Sequence, residues 1–349
     1  MLPPLPPSPL RLRLDPAALA ANWQALDRLS GAARAGAAVK ADGYGLGAGQ
    51  VVPVLAQAGC RDWFVAHWRE VPDVIAHVPA EAIAVLHGPL DHADVAFARA
   101  TGVRPVLNSL AQVARWLEGG GGVCHVMVDT GISRLGLGMT DLSDPLLARL
   151  DVDLCISHLA SADEDVTQNA EQLARFGTAR GMVAARRYSL ANSAGIALGS
   201  AYHADLTRPG IALYGGIARR ELADVVRRVA FPEAAVIQVR ELVAGDRVGY
   251  NATFVAPRAM RLGVVALGYA DGYLRCWSNR GALCSDGVRL PVVGRVSMDL
   301  TAIDLSAAPE VCEGDWLTVD YDLPRAAAQS GLSQYELLTL LHRRFARFT

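Results

Sequence analysis

The chain has no excess of charge of either sign. Its 33 Lys and Arg stand against 35 Asp and Glu in 349 residues, giving a formal net charge of -2 and a pI near 6.4. Nucleic acids and anionic membranes bind through basic surfaces, so neither is expected as a partner. No apolar run reaches the ~18 residues that a membrane-spanning helix needs. The opening MLPPLPPSPLRLRLD lacks the apolar core and small-residue cleavage site of a signal peptide, and reads instead as an extended proline-rich arm. The six cysteines, at 60, 124, 155, 276, 284 and 312, form no CxxC pair and no regular framework, which excludes a disulfide scaffold and suits a reducing cytoplasm. The eight histidines include no HExxH spacing, so no metal site is expected. Small-molecule chemistry is what these absences leave.

What is present is a large apolar fraction, 52% of residues, enough to bury a sizeable core in two domains. Short apolar runs recur at 37–40, 63–67, 82–88, 103–108, 125–130, 153–159, 187–193 and 204–210. They are spaced by roughly 24 residues, the length of a strand, a helix and two short loops. Helix-like stretches lie between them, among them AGQVVPVLAQAG, SLAQVARWLEG and EDVTQNAEQLARFGTARGMVAARR. Eight strands alternating with helices predict an α/β fold with a closed (β/α)8 TIM barrel, a doubly wound sheet being the alternative. From about residue 230 the texture turns to valine-rich segments with turns, which predicts a C-terminal mostly-β domain. The expected division is an arm over 1–11, the barrel over 12–227 and the β domain over 228–349, with the alternating strand near 11–15 free to join the β domain. Helix is expected again over SQYELLTLLHRRFARF, with Ser333 as its N-cap.

Lys40 closes the first apolar run, in AAVKADGYGLG. A lysine at the end of a buried strand loses hydration, which disfavours its ammonium and frees the amine to attack a carbonyl. The plain alternative is a lysine that snorkels to the rim. Gly43, Gly45 and Gly47 follow, letting backbone N–H groups approach an anion, with the Tyr44 hydroxyl among them. A nucleophilic amine beside a phosphate cradle points to pyridoxal 5'-phosphate. Lys40, Arg134, His158, Asn192 with Ser193, and Arg208 all fall at or beyond the C-terminal ends of proposed strands, the face on which barrel active sites form.

Taken in order, AAVKADGYG, DTGISRLGLG, SHLASAD, LANSAG, TRPGIALYGG, VGYNATF, ALGYADGYLR, GRVSMDLT and QYELLTLLHRR resemble the blocks of bacterial alanine racemases, pyridoxal phosphate enzymes of fold type III. The resemblance covers nearly the whole chain. It implies a barrel followed by a β domain, paired as a homodimer with shared active sites, interconverting L- and D-alanine and supplying D-alanine for peptidoglycan. A racemase of serine or another small amino acid is the near alternative. A decarboxylase or aldolase on the same fold is disfavoured by VGYNATF and Arg208, and a cofactor-binding regulatory protein has no use for a second base.

The resemblance also implies roles. Lys40 would hold the cofactor and act on one face of the α-carbon, and Tyr250, from the partner subunit, on the other. Without the resemblance, Tyr250 reads as a strand tyrosine packed in the core. Arg208 would face the pyridine nitrogen, and otherwise reads as a strand-end residue paired with Asp205. His158 and Arg208 would supply positive charge favouring the Tyr250 phenolate. Asn192 lies in the same cofactor site; Tyr44, Ser193, Gly210, Ile211 and Tyr335 would surround the phosphate. Arg134 and the backbone of Met298 would take the substrate carboxylate, Tyr269 would narrow the entrance, and Asp299 would order the Met298 loop.

Departures are visible too. Met127 stands where many members carry a carbamylated lysine beside the arginine, so an anion such as chloride, or another polar side chain, is expected to orient Arg134. Asp42, Leu46 and Ser297 stand where asparagine, histidine and cysteine are common.

Overall fold

The structure, a computed structural model, describes residues 3–341 and 344–348. It divides into two compact units, Pro16–Arg227 and Met1–Asp15 with Arg228–Thr349.

The strand β1 (Leu10–Leu14) belongs to the second of these. In Pro16–Arg227 the strands are β2 (Arg34–Ala35), β3 (Ala37–Ala38), β4 (Trp63–Val65), β5 (Ile83–Val85), β6 (Arg104–Leu107), β7 (Val123–Met127), β8 (Asp151–Ile156), β9 (Arg187–Ser189) and β10 (Leu206–Thr207). The eight strands β3 to β10 overlap the eight apolar runs, and β2 lies just ahead of the first. From β3 to β9 the seven strands pair in order, all parallel, and β10 pairs parallel with β2. The ring closes through the Arg208 N–H to Ala191 O at 2.8 Å on one side and the Ala38 N–H to Pro209 O at 2.9 Å on the other. The closed barrel, not the doubly wound sheet, is therefore the architecture. The strands read as continuous apolar runs because they are buried on both faces; every residue of β4 and β5 is buried.

Helices cover the outside. α1 (Pro16–Leu29), α2 (Ala48–Ala58), α3 (Val71–Ile75), α4 (His92–Thr101), α5 (Leu110–Glu118), α6 (Thr167–Met182) and α7 (Ser193–Ala197) follow in chain order. Asp91 caps α4 and Ser109 caps α5, each accepting the N–H three residues on. Phe176 of α6 and Val113 of α5 join Val126, Cys155 and Leu190 in one buried cluster.

The N-terminal ends of the strands carry a charged layer. Asp153 accepts from Arg104 at 2.5 Å and from Arg187 at 2.8 Å, and Arg187 also reaches Asp62 at 2.9 Å. The His125 ring lies 4.0 Å from the same Asp153 oxygen, is 4% exposed, and among the described residues its Nδ1 has no hydrogen-bond partner.

In the other unit, β1 pairs antiparallel with β11 (Ala230–Leu242), so the alternating LRLRL segment lies in this sheet, every second side chain buried. The sheet continues with β14 (Met260–Val265), β15 (Ala282–Ser285), β16 (Val288–Pro291), β17 (Thr301–Asp304) and β18 (Trp316–Val319), while β12 (Arg247–Val248) and β13 (Phe254–Val255) form a separate ribbon. Two helices follow, α8 (Leu323–Ser330) and α9 (Gln334–Thr339). Ser333 caps α9 in a reciprocal box with Glu336, as its position predicts. The helix stops at Thr339, however. Ala346–Phe348 form β19, paired parallel with the open edge of β1, because an unpaired strand edge offers backbone partners that a short polar helix end does not. His342 and Arg343, also expected to be helical, lie outside the described residues.

Candidate active site

Lys40 follows β3 directly. The chain then makes a tight left-handed turn: Ala41, Asp42, Gly43 and Tyr44 have φ of 54°, 54°, 62° and 57°. Each non-glycine residue in this conformation costs roughly 1–2 kcal/mol, so the turn persists only where its surroundings hold it. Two carboxylates do so. Asp42 accepts the Ala48 N–H at 2.7 Å, and Glu70, beyond β4, accepts the Ala41 N–H at 2.7 Å.

The turn delivers Tyr44 inward. Its ring is buried and stacked on Tyr214 at 4.8 Å, whose hydroxyl donates to Ala38 O. A Cβ added at Gly210 would sit 2.2 Å from Tyr44 Oη, so only glycine fits there. The Ser193 hydroxyl accepts the Gly210 N–H at 2.9 Å and the Ala212 N–H at 3.3 Å, which leaves its proton to donate. Tyr44, Ser193, Gly210 and Ile211 are thus brought together between the ends of β3, β9 and β10. Asn192 is spent differently: its side chain caps α7 by accepting the Gly195 N–H at 2.8 Å.

Arg208 lies across the mouth of the barrel, 7% exposed. Its guanidinium donates to Ser189 Oγ, to Ser157 O at 2.5 Å and to Leu190 O at 3.5 Å. All three acceptors are neutral. Asp205, the plain alternative partner, instead accepts the Tyr188 N–H, and among the described residues no carboxylate pairs with Arg208. Burial without a counter-ion pulls its pKa down to about 9. His158 is held near 3, first by burial and then by Arg208, Arg134 and Lys40. Burial and the neighbouring cations thus disfavour the imidazolium of His158, and Arg208 is the buried cation at that position.

Arg134 stands in the exposed loop after β7. Asp129 shapes that loop by accepting three successive N–H groups, from Gly131, Ile132 and Ser133, at 2.8, 3.0 and 3.2 Å. Gly136 is required in it, since a Cβ would lie 2.6 Å from Asp129 N. Met127 is 7% exposed, and among the described residues no side chain bonds to the Arg134 guanidinium. The expected polar substitute for a carbamylated lysine is thus not a side chain of this unit.

Burial lowers the Lys40 amine first of all, Arg134 and Arg208 lower it further, and Glu70 opposes them. An amine so placed is shifted toward its neutral, nucleophilic form.

Gln172 went unnoticed in the sequence. It is fully buried in α6, donates to Thr130 Oγ1 and His158 O at 3.2 and 2.9 Å, and accepts the Ala160 N–H at 2.8 Å. It thereby joins the loop of Arg134 to that of His158. A glutamine on a helix reads as solvated surface, and only its place on the inner face reveals the clamp.

The remaining predicted residues lie in the β unit. Tyr250 stands in a turn between β12 and β13 and is 65% exposed, so it is no packed strand tyrosine. Met298 is 54% exposed; Tyr269 lies under the Arg275 guanidinium, 5.4 Å from its ring centre. The two loops are joined by the Ala270 N–H to Met298 O at 2.9 Å. Arg344 brackets them by donating to Asp271 and Asp299, both at 2.7 Å. Tyr335 lies in α9 and is exposed.

Known proteins match both units. The family model for the alanine racemase N-terminal domain matches residues 14–218 and that for the C-terminal domain residues 229–349. An alanine racemase of Acidiphilium cryptum is 40% identical over 96% of this chain and 97% of its own. A catabolic alanine racemase of Agrobacterium fabrum is 41% identical, over 96% of this chain and 91% of its own. Among solved structures, the alanine racemase of Bartonella henselae with covalently bound pyridoxal phosphate superposes with a TM-score of 0.89 at 33% identity, covering 98% of this chain and 99% of that one. Matched in both domains and along nearly its full length, the chain belongs to the alanine racemase family.

Proposed function

We propose that the protein interconverts L- and D-alanine with pyridoxal 5'-phosphate, using Lys40 and Tyr250 of the partner subunit on opposite faces of the α-carbon. The observation that carries this reading is the barrel mouth itself, where a half-buried lysine amine, a hydroxyl cradle and a buried arginine without a counter-ion converge.

The donor set fits the cofactor. Lys40 would hold its aldehyde carbon. Tyr44, Ser193 and the backbone at Gly210 and Ile211, with Tyr335, offer hydroxyls and N–H groups to a phosphate. Arg208 would face the ring nitrogen. Being donor-only, it leaves that nitrogen an acceptor, and its neutral hydrogen-bond partners leave its charge uncancelled. When bound, the cofactor withdraws electrons from the substrate α-carbon and so acidifies its hydrogen.

The chain's residues do the rest. Arg134, with the Met298 backbone of the partner subunit, binds the carboxylate and fixes which face meets which base. One of Lys40 and Tyr250 removes the α-proton while the other delivers a proton to the opposite face, and the roles reverse with the direction of reaction. Holding a phenol ionised at pH 7 costs about 4 kcal/mol against its usual pKa near 10. With the imidazolium of His158 disfavoured by burial, Arg208 is the cation that offsets this cost. Tyr269 narrows the entrance in favour of a methyl side chain, and Asp299, held by Arg344, steadies the Met298 loop.

A homodimer with shared sites accords with the exposure of Tyr250 and Met298 on the β unit. The product D-alanine serves peptidoglycan synthesis in the cytoplasm. Incubating the purified protein with L-alanine in deuterated water tests the activity: D-alanine should appear with deuterium at the α-carbon. Exchange without D-alanine, or neither, refutes the assignment.

A further inference from the structure

We propose that Glu70 is a positioning residue for Lys40, its carboxylate tying down the turn that follows the lysine and setting a negative charge beside the amine. The inference rests on the reading of Lys40 as the lysine that holds the cofactor.

Glu70 ends the short turn Trp68–Glu70 beyond β4. One carboxylate oxygen accepts the Ala41 N–H at 2.7 Å, and the other accepts the N–H groups of Ala66 and His67 at 2.6 and 3.4 Å. The side chain is 15% exposed. A single carboxylate therefore joins the ends of two neighbouring barrel strands, β3 and β4. Ala41 is the first residue of the left-handed turn, so its N–H ties the start of that turn to the end of β4. Lys40 stands immediately before it, between two segments that Glu70 holds together.

The charges around Lys40 make the position matter. Arg134 reaches it from beyond β7 and Arg208 from β10, and His158 and His87 face it from beyond β8 and β5. Burial holds both histidines below their ordinary values. His67 lies 3.9 Å from Glu70 itself. Of the groups acting on Lys40, Glu70 is the anion, and it favours the ammonium that burial and the two arginines disfavour. Lys40 needs both forms: neutral to attack a carbonyl, protonated to return a proton to the α-carbon. Without Glu70 the amine would remain a nucleophile but become a poorer proton carrier. The sign follows: neutralising Glu70 moves the Lys40 titration to lower pH.

The test uses the full-length protein stripped of cofactor and mixed with pyridoxal phosphate at a series of pH values from about 6 to 10, below the ordinary lysine value. Neutral Lys40 attacks the aldehyde carbon, a C=N bond replaces C=O, and the oxygen leaves as water. The growth of visible absorption at each pH therefore reads the fraction of neutral amine. Glu70→Gln and Glu70→Ser should both shift the midpoint of this dependence to lower pH, and Glu70→Asp should restore it toward wild type. In the loaded enzyme the neutral variants should lose kcat more than KM rises. An unmoved or raised midpoint overturns the proposal while leaving the cofactor assignment intact. Absence of any band in the wild type, with no label on Lys40 after borohydride reduction, overturns both. Loss of the fold in both neutral variants, seen by circular dichroism, also overturns it, because Glu70 would then belong to the fold rather than to the chemistry of Lys40.

Discussion

His125 should make the protein acid-sensitive by an amount that the barrel fixes. The ring is enclosed at the N-terminal ends of the strands, and burial is the main force holding its pKa near 3, with Asp153 opposing and Arg104 and Arg187 adding to the depression. In the unfolded chain it returns to its usual value near 6.5. Between those values the unfolded state binds a proton that the native state refuses, so stability falls as pH drops through 6.5 and goes on falling until the native ring titrates. At pH 5 the gap of 1.5 units from the unfolded value, at about 1.4 kcal/mol per unit, amounts to about 2 kcal/mol relative to pH 8. The native pKa lies far enough below pH 5 that the unfolded value sets this figure. His125→Gln removes the titrating group, and the His125 Nδ1 makes no hydrogen bond whose loss would obscure the comparison. Urea unfolding of both proteins at pH 8 and pH 5 measures the effect: the variant should lose about 2 kcal/mol less than wild type between the two pH values. His158 and the carboxylates titrate in both proteins and cancel in the difference. Parallel pH dependences would show that the native ring accepts a proton, through Asp153 or water entering the barrel end, and would refute the reasoning.

Three further outcomes follow from the site. Lys40→Ala and Tyr250→Phe should each abolish racemisation, yet unfolding and refolding the two together should recover about one quarter of wild-type activity, because random pairing in a dimer makes half the dimers mixed, each with one intact site; no recovery would refute the shared site. Chloride should lower the KM for alanine by occupying the space beside Arg134 that Met127 cannot fill with charge, and Met127→Lys or equal KM values in chloride and in an inert salt of the same ionic strength distinguish this from screening. Ser189→Ala removes a hydrogen bond to the buried Arg208 guanidinium and should cost about 1.5–3 kcal/mol, with weaker cofactor retention, read by thermal melting and by dialysis; a change under about 0.5 kcal/mol would mean that water replaces the hydroxyl without loss.

Much of this was legible in order along the chain. The eight barrel strands showed themselves because parallel strands under helices are apolar on both faces, so each appears as an unbroken run. Lys40, Arg134, His158, Ser193 and Arg208 could be placed on one rim because barrel topology puts every strand's C-terminal end at the same side. The end of the chain misled for a local reason: QYELLTLLHRRFARF has helical spacing throughout, but Ala346–Phe348 pair with an open strand edge some 330 residues away in sequence, which periodicity cannot register.

The sequence by itself determined the fold class, the family and which groups are candidates for the chemistry, because these depend on residue types and their order. Tertiary structure decided what state those groups are in. His158 was expected as a cation, and its burial among Arg208, Arg134 and Lys40 works against the charged form. Arg208 was open to pairing with Asp205 and instead keeps its charge among neutral acceptors. Glu70 and Gln172 gave no signal at all, because a carboxylate or an amide acquires meaning only from the backbone groups that the fold sets within hydrogen-bonding distance. Charge and protonation are properties of surroundings, and surroundings exist only once the chain has folded.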